Sequence, residues 1–97
     1  MLCDNLYNVD FKDTHRAIIT LCDENHPIFK AHFPSQPILP GFIHFEIVAD
    51  IFELDITAIK KAKFTKIITP LQTLTYEKNS NKFKVFCEDA EVASFSL

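Results

Sequence analysis

The chain has 97 residues, enough for one domain with a single core, and we predict one domain over residues 1–97. Hydrophobic residues make up 47% of it and include ten Phe, which indicates a globular protein and argues against disorder. The net charge of −3 disfavours nucleic acid as the main partner.

The sequence shows no sign of secretion or membrane insertion. Its first residues lack the basic start, apolar middle and small-residue cleavage site of a signal peptide. Polar side chains interrupt the longest apolar stretch, which argues against a transmembrane helix. The three cysteines are odd in number and far apart, as in a protein that keeps its thiols reduced. We therefore expect a cytoplasmic protein with no membrane span.

The first half of the chain predicts a strand, a rigid loop and a helix. Residues 14–22 are apolar and rich in β-formers, which predicts a strand. Residues 28–40 hold three prolines within seven residues, which predicts an irregular loop instead of a helix. Residues 41–54 begin just after a proline and are apolar around most of a helical circumference, so we predict a central, largely buried helix.

The second half predicts a run of strands. Two of the predicted strands, residues 74–78 and 82–88, are separated by a hairpin turn at residues 79–81. One buried helix followed by strands predicts an α+β fold in which an antiparallel sheet wraps around the helix. The predicted strands cover residues 62–69, 74–78, 82–88 and 92–97.

The loop and the helix together carry a candidate acid–base pair. His32 lies in the proline-rich loop, and histidine titrates near neutral pH, which suits a general base. Gly41 lies at the helix start, where backbone N–H groups can polarise a carbonyl oxygen. Glu46 lies inside the helix, where burial and the nearby charge of Asp50 would favour its protonated form, as a general acid needs. These groups suit removal of an α-proton beside a thioester carbonyl and departure of a β-hydroxyl.

Spacing alone leaves a plainer interpretation of the carboxylates open. Glu46, Asp50 and Glu53 follow one another at helical spacing, so they could form the solvent-exposed stripe of the helix. His32 taken alone could be an ordinary loop histidine. The residue types and their spacing therefore do not decide between a catalytic site and a wet helix face.

The other histidines do not suggest a metal site. His26, His32 and Cys22 match no metal-ligand spacing. His44 is expected on the side of the helix opposite Glu46, in a structural or interfacial role.

Four lysines fall in a segment that contains no acidic residue. They are either an ordinary solvated strand edge or a docking patch for an acidic partner. The four are Lys60, Lys61, Lys63 and Lys66.

At the loop and helix the sequence resembles the hot-dog-fold 3-hydroxyacyl-thioester dehydratases, which act on acyl-carrier-protein intermediates in bacterial fatty-acid synthesis. Their signature is His-Phe-Pro, two residues, Pro-x-x-Pro-Gly, and an acid fourteen positions after the His. Residues 32–34, Pro37, residues 40–41 and Glu46 match this register without a gap. The resemblance extends over nearly all of the chain beyond Thr14.

The resemblance implies a mechanism and an assembly. His32 would be the base, Glu46 the acid that assists departure of the β-hydroxyl, and the Gly41 amide the contact for the thioester oxygen. The product would be a trans-2-enoyl thioester. The site would form in a homodimer, with the His and the acid from different subunits, and would need no metal or organic cofactor.

The resemblance also implies substrate contacts. An apolar tunnel would hold the acyl chain, delivered on acyl carrier protein or CoA, and Asp50 stands where a Gln often supports the acid. Because carrier proteins are acidic, lysines could guide them to the tunnel. The expected tunnel residues are Phe33, Leu39, Pro40, Phe42, Ile43 and Phe45, and the expected docking residues are Lys30, Lys60, Lys61 and Lys63.

Two other activities stay open for such a chain. It could be a hot-dog acyl thioesterase, or an acyl-thioester-binding module without catalysis. Departures from the family pattern, such as Leu71 in place of the glycine of a Pro-Gly-Asp turn, fit a relative in a specialised acyl or polyene pathway as well as a fatty-acid enzyme.

Overall fold

Six strands and two helices make up the structure, a computed structural model that describes residues 5–31 and 35–97. The strands form one antiparallel sheet in the order β1-β2-β4-β5-β6-β3, which confirms the predicted α+β class. The elements are β1 (Tyr7–Lys12), β2 (Arg16–Leu21), α1 (Pro27–Ala31), α2 (Ile43–Ile51), β3 (Lys61–Phe64), β4 (Thr73–Asn79), β5 (Lys82–Cys87) and β6 (Ala90–Ser96).

The core lies between α2 and one face of the sheet. Ile43, Ile47 and Val48 on the helix are fully buried. The central strands present alternate residues to them, such as Leu74 and Tyr76 on β4, because successive side chains of a strand point to opposite faces. The helix is therefore held by burial of its apolar face.

Most of α2 is buried, with Ile43, His44, Ile47, Val48 and Ile51 inside the core. Phe42 at its start is 46% exposed, and Glu46 and Asp50 are exposed. The expectation of a largely buried helix is confirmed, and Glu46 and Asp50 mark its exposed side.

The helix is shorter than the predicted residues 41–54. Its first turn is tight, because the amides of residues 43–45 donate to the carbonyls of residues 40–42 at 3.1 Å. It ends where Glu53 takes a left-handed conformation (φ 54°) and Leu54 N–H donates to Ala49 O at 2.9 Å. This is the Schellman arrangement, in which glycine is the usual residue at the left-handed position.

Other element boundaries differ in ways the local sequence explains. Residues 28–31 of the predicted loop belong instead to the short helix α1, which begins one residue earlier at Pro27, as helix starts allow. The strand predicted over residues 62–69 ends at Phe64. β1 was not predicted. The hairpin at residues 79–81 is confirmed: Asn79 pairs with Lys82, and Ser80 has a φ of 58°.

Two further expectations can be compared with the described part of the chain. No helix within residues 5–31 and 35–97 is long and apolar enough to cross a membrane. Cys22 and Cys87 are free thiols, and Cys3 lies outside the described residues.

Candidate active site

Gly41 lies at the entrance to α2, against the ring of Phe64 on β3. A β-carbon added to Gly41 would stand 3.1 Å from that ring, so the close approach favours glycine here. Within residues 5–31 and 35–97, the Gly41 N–H donates to no protein acceptor. It lies at the positive end of the helix dipole, where it can donate to an oxygen of a bound molecule.

A small cavity opens beside Gly41. Its volume is about 260 Å³, and its walls are mostly apolar. His44 contributes the one imidazole among its walls. The walls include Leu39, Gly41, His44, Phe64 and Ile68.

His44 is the buried polar residue of the described core. Its Nδ1 lies 2.7 Å from the hydroxyl of Tyr76 on β4, and the two rings meet edge to face at 5.7 Å. The residue is 3% exposed, and burial lowers the pKa of its imidazole to about 4. His44 is therefore neutral at neutral pH.

Glu46 lines a different groove, which has a volume of about 530 Å³. Phe42, Phe45 and Ala49 of the helix region line it, together with residues 54–59. Glu46 is exposed, so the burial that was expected to favour its protonated form is absent from the single chain.

The Gly41 cavity and the Glu46 groove share no lining residue. A molecule bound at the Gly41 amide therefore does not occupy the same cavity as Glu46 of that chain. The described residues of one chain supply two half-sites and not a complete acid–base site.

The remaining predicted site residues divide into several groups. His32, the predicted base, and Phe33 lie outside the described residues. Asp50 accepts a hydrogen bond from the hydroxyl of Tyr7 on β1 and does not line the Glu46 groove. Ile43 is fully buried in the core and lines neither cavity, so its predicted contact with substrate is not found in the single chain. Pro40 is half-buried beside Gly41.

Four lysines surround a groove on the sheet face opposite α2. In the strand register, Lys61 and Lys82 both pair with one serine of β6, and Lys63 and Lys84 both pair with another. Directly paired residues share a face of the sheet, so the four lysines flank the two serines, and the Lys84 ammonium lies 3.9 Å from the Glu91 carboxylate. The groove has a volume of about 580 Å³, and its central residues are Ser94 and Ser96.

The lysines that line the groove are only partly the ones predicted for the docking patch. Lys61 and Lys63 belong to it, whereas Lys60 does not line it and Lys30 lies on α1. Lys82 and Lys84 were missed, although their alternation with buried residues in β5 was a usable signal.

The described residues contain no group of three or more His, Cys, Asp or Glu side chains that could hold a metal ion. The polar groups of the two half-sites are a backbone amide, a neutral imidazole and a carboxylate. This set suits proton transfer and hydrogen bonding to a carbonyl oxygen.

The architecture is the hot-dog fold, as comparison with solved structures shows. The chain resembles one in the dehydratase heterocomplex ApeI:P from Xenorhabdus doucetiae, with a TM-score of 0.66 and 22% identity over 91% of this chain and 89% of that one. It also resembles an uncharacterized protein from Erwinia carotovora subsp. atroseptica, with a TM-score of 0.53 and 20% identity over 91% and 86% of the two chains.

Residues 9–96 match the family described as ApeI-like dehydratases, and the chain belongs to this family. The 3-hydroxyacyl-[acyl-carrier-protein] dehydratase FabZ of Idiomarina loihiensis is 30% identical over 95% of this chain and 74% of its own length. FabZ of Rickettsia felis is 27% identical over 76% of this chain. The chain spans 60% of the length of the Rickettsia protein and 48% of that of a FabZ from Wolbachia pipientis.

Proposed function

We propose that the protein dehydrates a 3-hydroxyacyl thioester to the trans-2-enoyl thioester. The observation that carries the proposal is the Gly41 amide, which opens into a cavity at the positive end of α2 in a chain of the dehydratase family. An enolate oxygen formed there would be stabilised more strongly than the carbonyl oxygen of the substrate, which is how such a donor accelerates a reaction.

The proposed reaction is an elimination with three participants. His32 removes the α-proton, and the electron pair of the broken C–H bond is held on the thioester oxygen as an enolate beside the Gly41 N–H. The enolate then collapses to form the α,β double bond. Glu46 gives its proton to the departing β-hydroxyl, which leaves as water.

We infer that the complete site forms between two chains. The Gly41 cavity and the Glu46 groove of one chain are separate, and a second chain could bring a Glu46 to the His32 of the first. The exposed surface fits such an interface, because Phe42 is 46% and Phe64 is 45% exposed, and β3 lies at the edge of the sheet.

Complementation between inactive variants tests this arrangement. In a homodimer, His32→Ala mixed with Glu46→Gln under unfolding and refolding gives hybrid dimers with one intact site each. We expect about a quarter of the wild-type activity from an equal mixture. Recovery of no activity from hybrid dimers verified by native mass spectrometry would contradict the shared site.

The second chain of the assembly need not be identical. A similar protein is part of the heterocomplex ApeI:P. Native mass spectrometry of the purified chain distinguishes the cases: a homodimer is expected, and a strictly monomeric chain without activity would indicate an unlike partner.

The names of the relatives support a substrate class. The FabZ proteins are named for acyl-carrier-protein substrates, and we propose a carrier-bound or CoA-bound acyl chain and a cytoplasmic location. The groove lined by Lys61, Lys63, Lys82 and Lys84 is the best candidate for contact with an acidic carrier protein, because it concentrates positive charge on a protein of net charge −3.

Hydration of a short trans-2-enoyl-CoA, the reverse reaction, tests the activity directly. Loss of the conjugated enoyl absorbance is expected with wild type, and His32→Ala and Glu46→Gln should each lower the rate about 10²–10⁴-fold. The exposed residues Glu53 and His15 provide matched controls as Glu53→Gln and His15→Ala.

Two results would contradict the proposal. Wild-type rates in both His32→Ala and Glu46→Gln would exclude the proposed acid–base pair. Release of free CoA thiol without formation of a 3-hydroxyacyl product would indicate a thioesterase instead.

A further inference from the structure

His44 is a buried ionisable group that the proposed elimination does not use. It lies in α2 between Gly41 and Glu46, and it lines the same cavity as Gly41. A core position at this point of the helix could hold any apolar residue of similar size. Because burying a polar group is costly, an imidazole with a fixed polar contact at this position indicates a chemical role.

The helix places the imidazole of His44 on the same side as Gly41. The two residues are three positions apart, and the His44 N–H donates to the Gly41 carbonyl at 3.1 Å. Side chains of a helix lean toward its N-terminus and cover the preceding turn. The His44 ring consequently lies over the turn that contains Gly41.

The two ring nitrogens of His44 have different surroundings. Nδ1 lies 2.7 Å from the Tyr76 hydroxyl, and this is the one hydrogen bond of the ring within the described chain. Among the described residues, every side-chain nitrogen or oxygen that is fully buried has a hydrogen-bond partner. Because Nε2 has no such partner, it is not fully buried and retains contact with open space. Since His44 lines the Gly41 cavity, Nε2 is the polar atom that it can present to an occupant.

Packing holds the ring in place. Phe64 stacks on His44 with the ring centres 6.0 Å apart and the planes at 16°, and the same Phe64 lies against Gly41. Tyr76 fixes the other edge of the imidazole from β4. His44 is neutral near pH 7, because burial lowers its pKa to about 4. A neutral imidazole carries one N–H, and its tautomer is set by the partner of the other nitrogen.

We propose that His44 is a further catalytic residue, which donates a hydrogen bond from Nε2–H to the thioester oxygen beside the Gly41 N–H. The Tyr76 hydroxyl donates to Nδ1 and so keeps the proton on Nε2. His44 keeps that proton throughout, while negative charge grows on the thioester oxygen and then leaves with the β-hydroxyl oxygen, which takes up the proton of Glu46. This inference rests on the proposed function, because it names the second donor of the same site.

The variants His44→Phe, His44→Gln and Tyr76→Phe separate this role from packing. His44→Phe keeps a ring without a donor, and His44→Gln keeps an amide N–H donor. Loss of one oxyanion donor costs about 10²–10³-fold in kcat in well-studied enzymes. For hydration of enoyl-CoA we expect a fall of about 100-fold in kcat for His44→Phe with a smaller change in KM, and partial rescue by His44→Gln. Tyr76→Phe should lower kcat by a smaller factor, because the tautomer is no longer held.

A spectroscopic measurement reads the hydrogen bond without turnover. Isotope-edited infrared spectroscopy of a saturated acyl-CoA labelled with ¹³C at the thioester carbonyl reports how strongly the protein polarises the C=O bond. In wild type the stretch should shift to lower frequency than in water. In His44→Phe part of this shift should be lost, whereas His15→Phe, at an exposed position, should retain all of it.

The outcomes are distinguishable. An unchanged carbonyl frequency and an unchanged kcat in a folded His44→Phe variant would overturn the role of His44. If His44→Phe does not fold, the same comparison is made with Tyr76→Phe and His44→Gln. A wild-type protein that polarises the bound thioester but does not hydrate an enoyl-CoA would overturn the proposed dehydration and leave the His44 contact supported. Absence of thioester binding would overturn both.

Discussion

The ring of Phe64 lies 3.1 Å from the point where a β-carbon on Gly41 would stand. This contact joins the edge strand β3 to the first turn of α2 and forms one wall of the Gly41 cavity. A methyl group at residue 41 would have to displace the ring or narrow the cavity. Stability and activity should respond differently to that change.

Gly41→Ala should lose activity without losing the fold. Phe64 is 45% exposed, so its ring can move aside, and we expect a loss in the free energy of unfolding below about 1 kcal/mol. Enoyl-CoA hydration should fall at least about 10-fold, because small misplacements in a site are costly. The double variant Gly41→Ala with Phe64→Ala tests the cause: it should recover part of the activity if the ring is what crowds the cavity.

Acid should destabilise the protein through His44. Its pKa is about 4 in the fold and 6.5 ordinarily, so the unfolded chain binds the proton more tightly. The stability contributed by the neutral form is present above pH 6.5 and is lost as the pH falls toward 4. The full loss amounts to about 3 kcal/mol.

Urea unfolding at a series of pH values between 7 and 4 measures this loss. His44→Gln should show a weaker dependence on pH over this range than wild type. His15→Gln is the control, because His15 is exposed and its removal should leave the dependence on pH in place. Equal pH profiles for wild type and His44→Gln would refute the assignment.

Leu71→Gly should stabilise the protein. Leu71 is 67% exposed and has a φ of 69°, a left-handed conformation that costs a residue with a β-carbon about 1–2 kcal/mol. Glycine removes that cost but adds freedom to the unfolded chain, which costs about 0.5–1 kcal/mol. We expect a net gain of about 0.5–1 kcal/mol by thermal unfolding. Ile67→Gly, at another exposed apolar position without a positive φ, should not raise stability.

Charge reversal in the lysine groove should impair the use of carrier-bound substrate. Lys61→Glu together with Lys82→Glu should raise KM for an acyl-carrier-protein thioester about 10-fold at low salt, and the difference should shrink at high salt. Activity on the same acyl group bound to CoA should stay unchanged. Lys12→Glu on β1, at the opposite edge of the sheet, is the control for each single variant, Lys61→Glu and Lys82→Glu, with the same change in net charge. An equal effect of Lys12→Glu would show that net charge, and not the groove, is responsible.

Much of the fold could be predicted because the spacing of apolar residues along the sequence indicates which positions are buried. The alternation in residues 82–88 and the polar turn before them identified β5 and its hairpin. β1 was missed although Tyr7, Val9 and Phe11 alternate with polar residues, because a solvent-exposed edge strand has no buried face to produce a strong signal. The end of α2 was placed too late because a non-glycine residue, Glu53, adopts the left-handed conformation there.

The candidate site was predictable only where its residues are close in sequence. The register from Gly41 to Glu46 follows from a local motif on one helix. The contact between His44 and Tyr76 joins residues 32 positions apart, and no local pattern marks it. The separation of the Gly41 cavity from the Glu46 groove likewise depends on which residues surround each one after folding.

The division of polar groups between two sides of α2 has an evolutionary consequence. In a dimer built as proposed, each reaction centre draws one half from each subunit, so the halves can change independently after gene duplication. A duplicated chain could lose its Glu46 and still support catalysis by presenting Gly41 and His32 to an unlike partner. Selection would then preserve one working centre per pair and release the other for new uses.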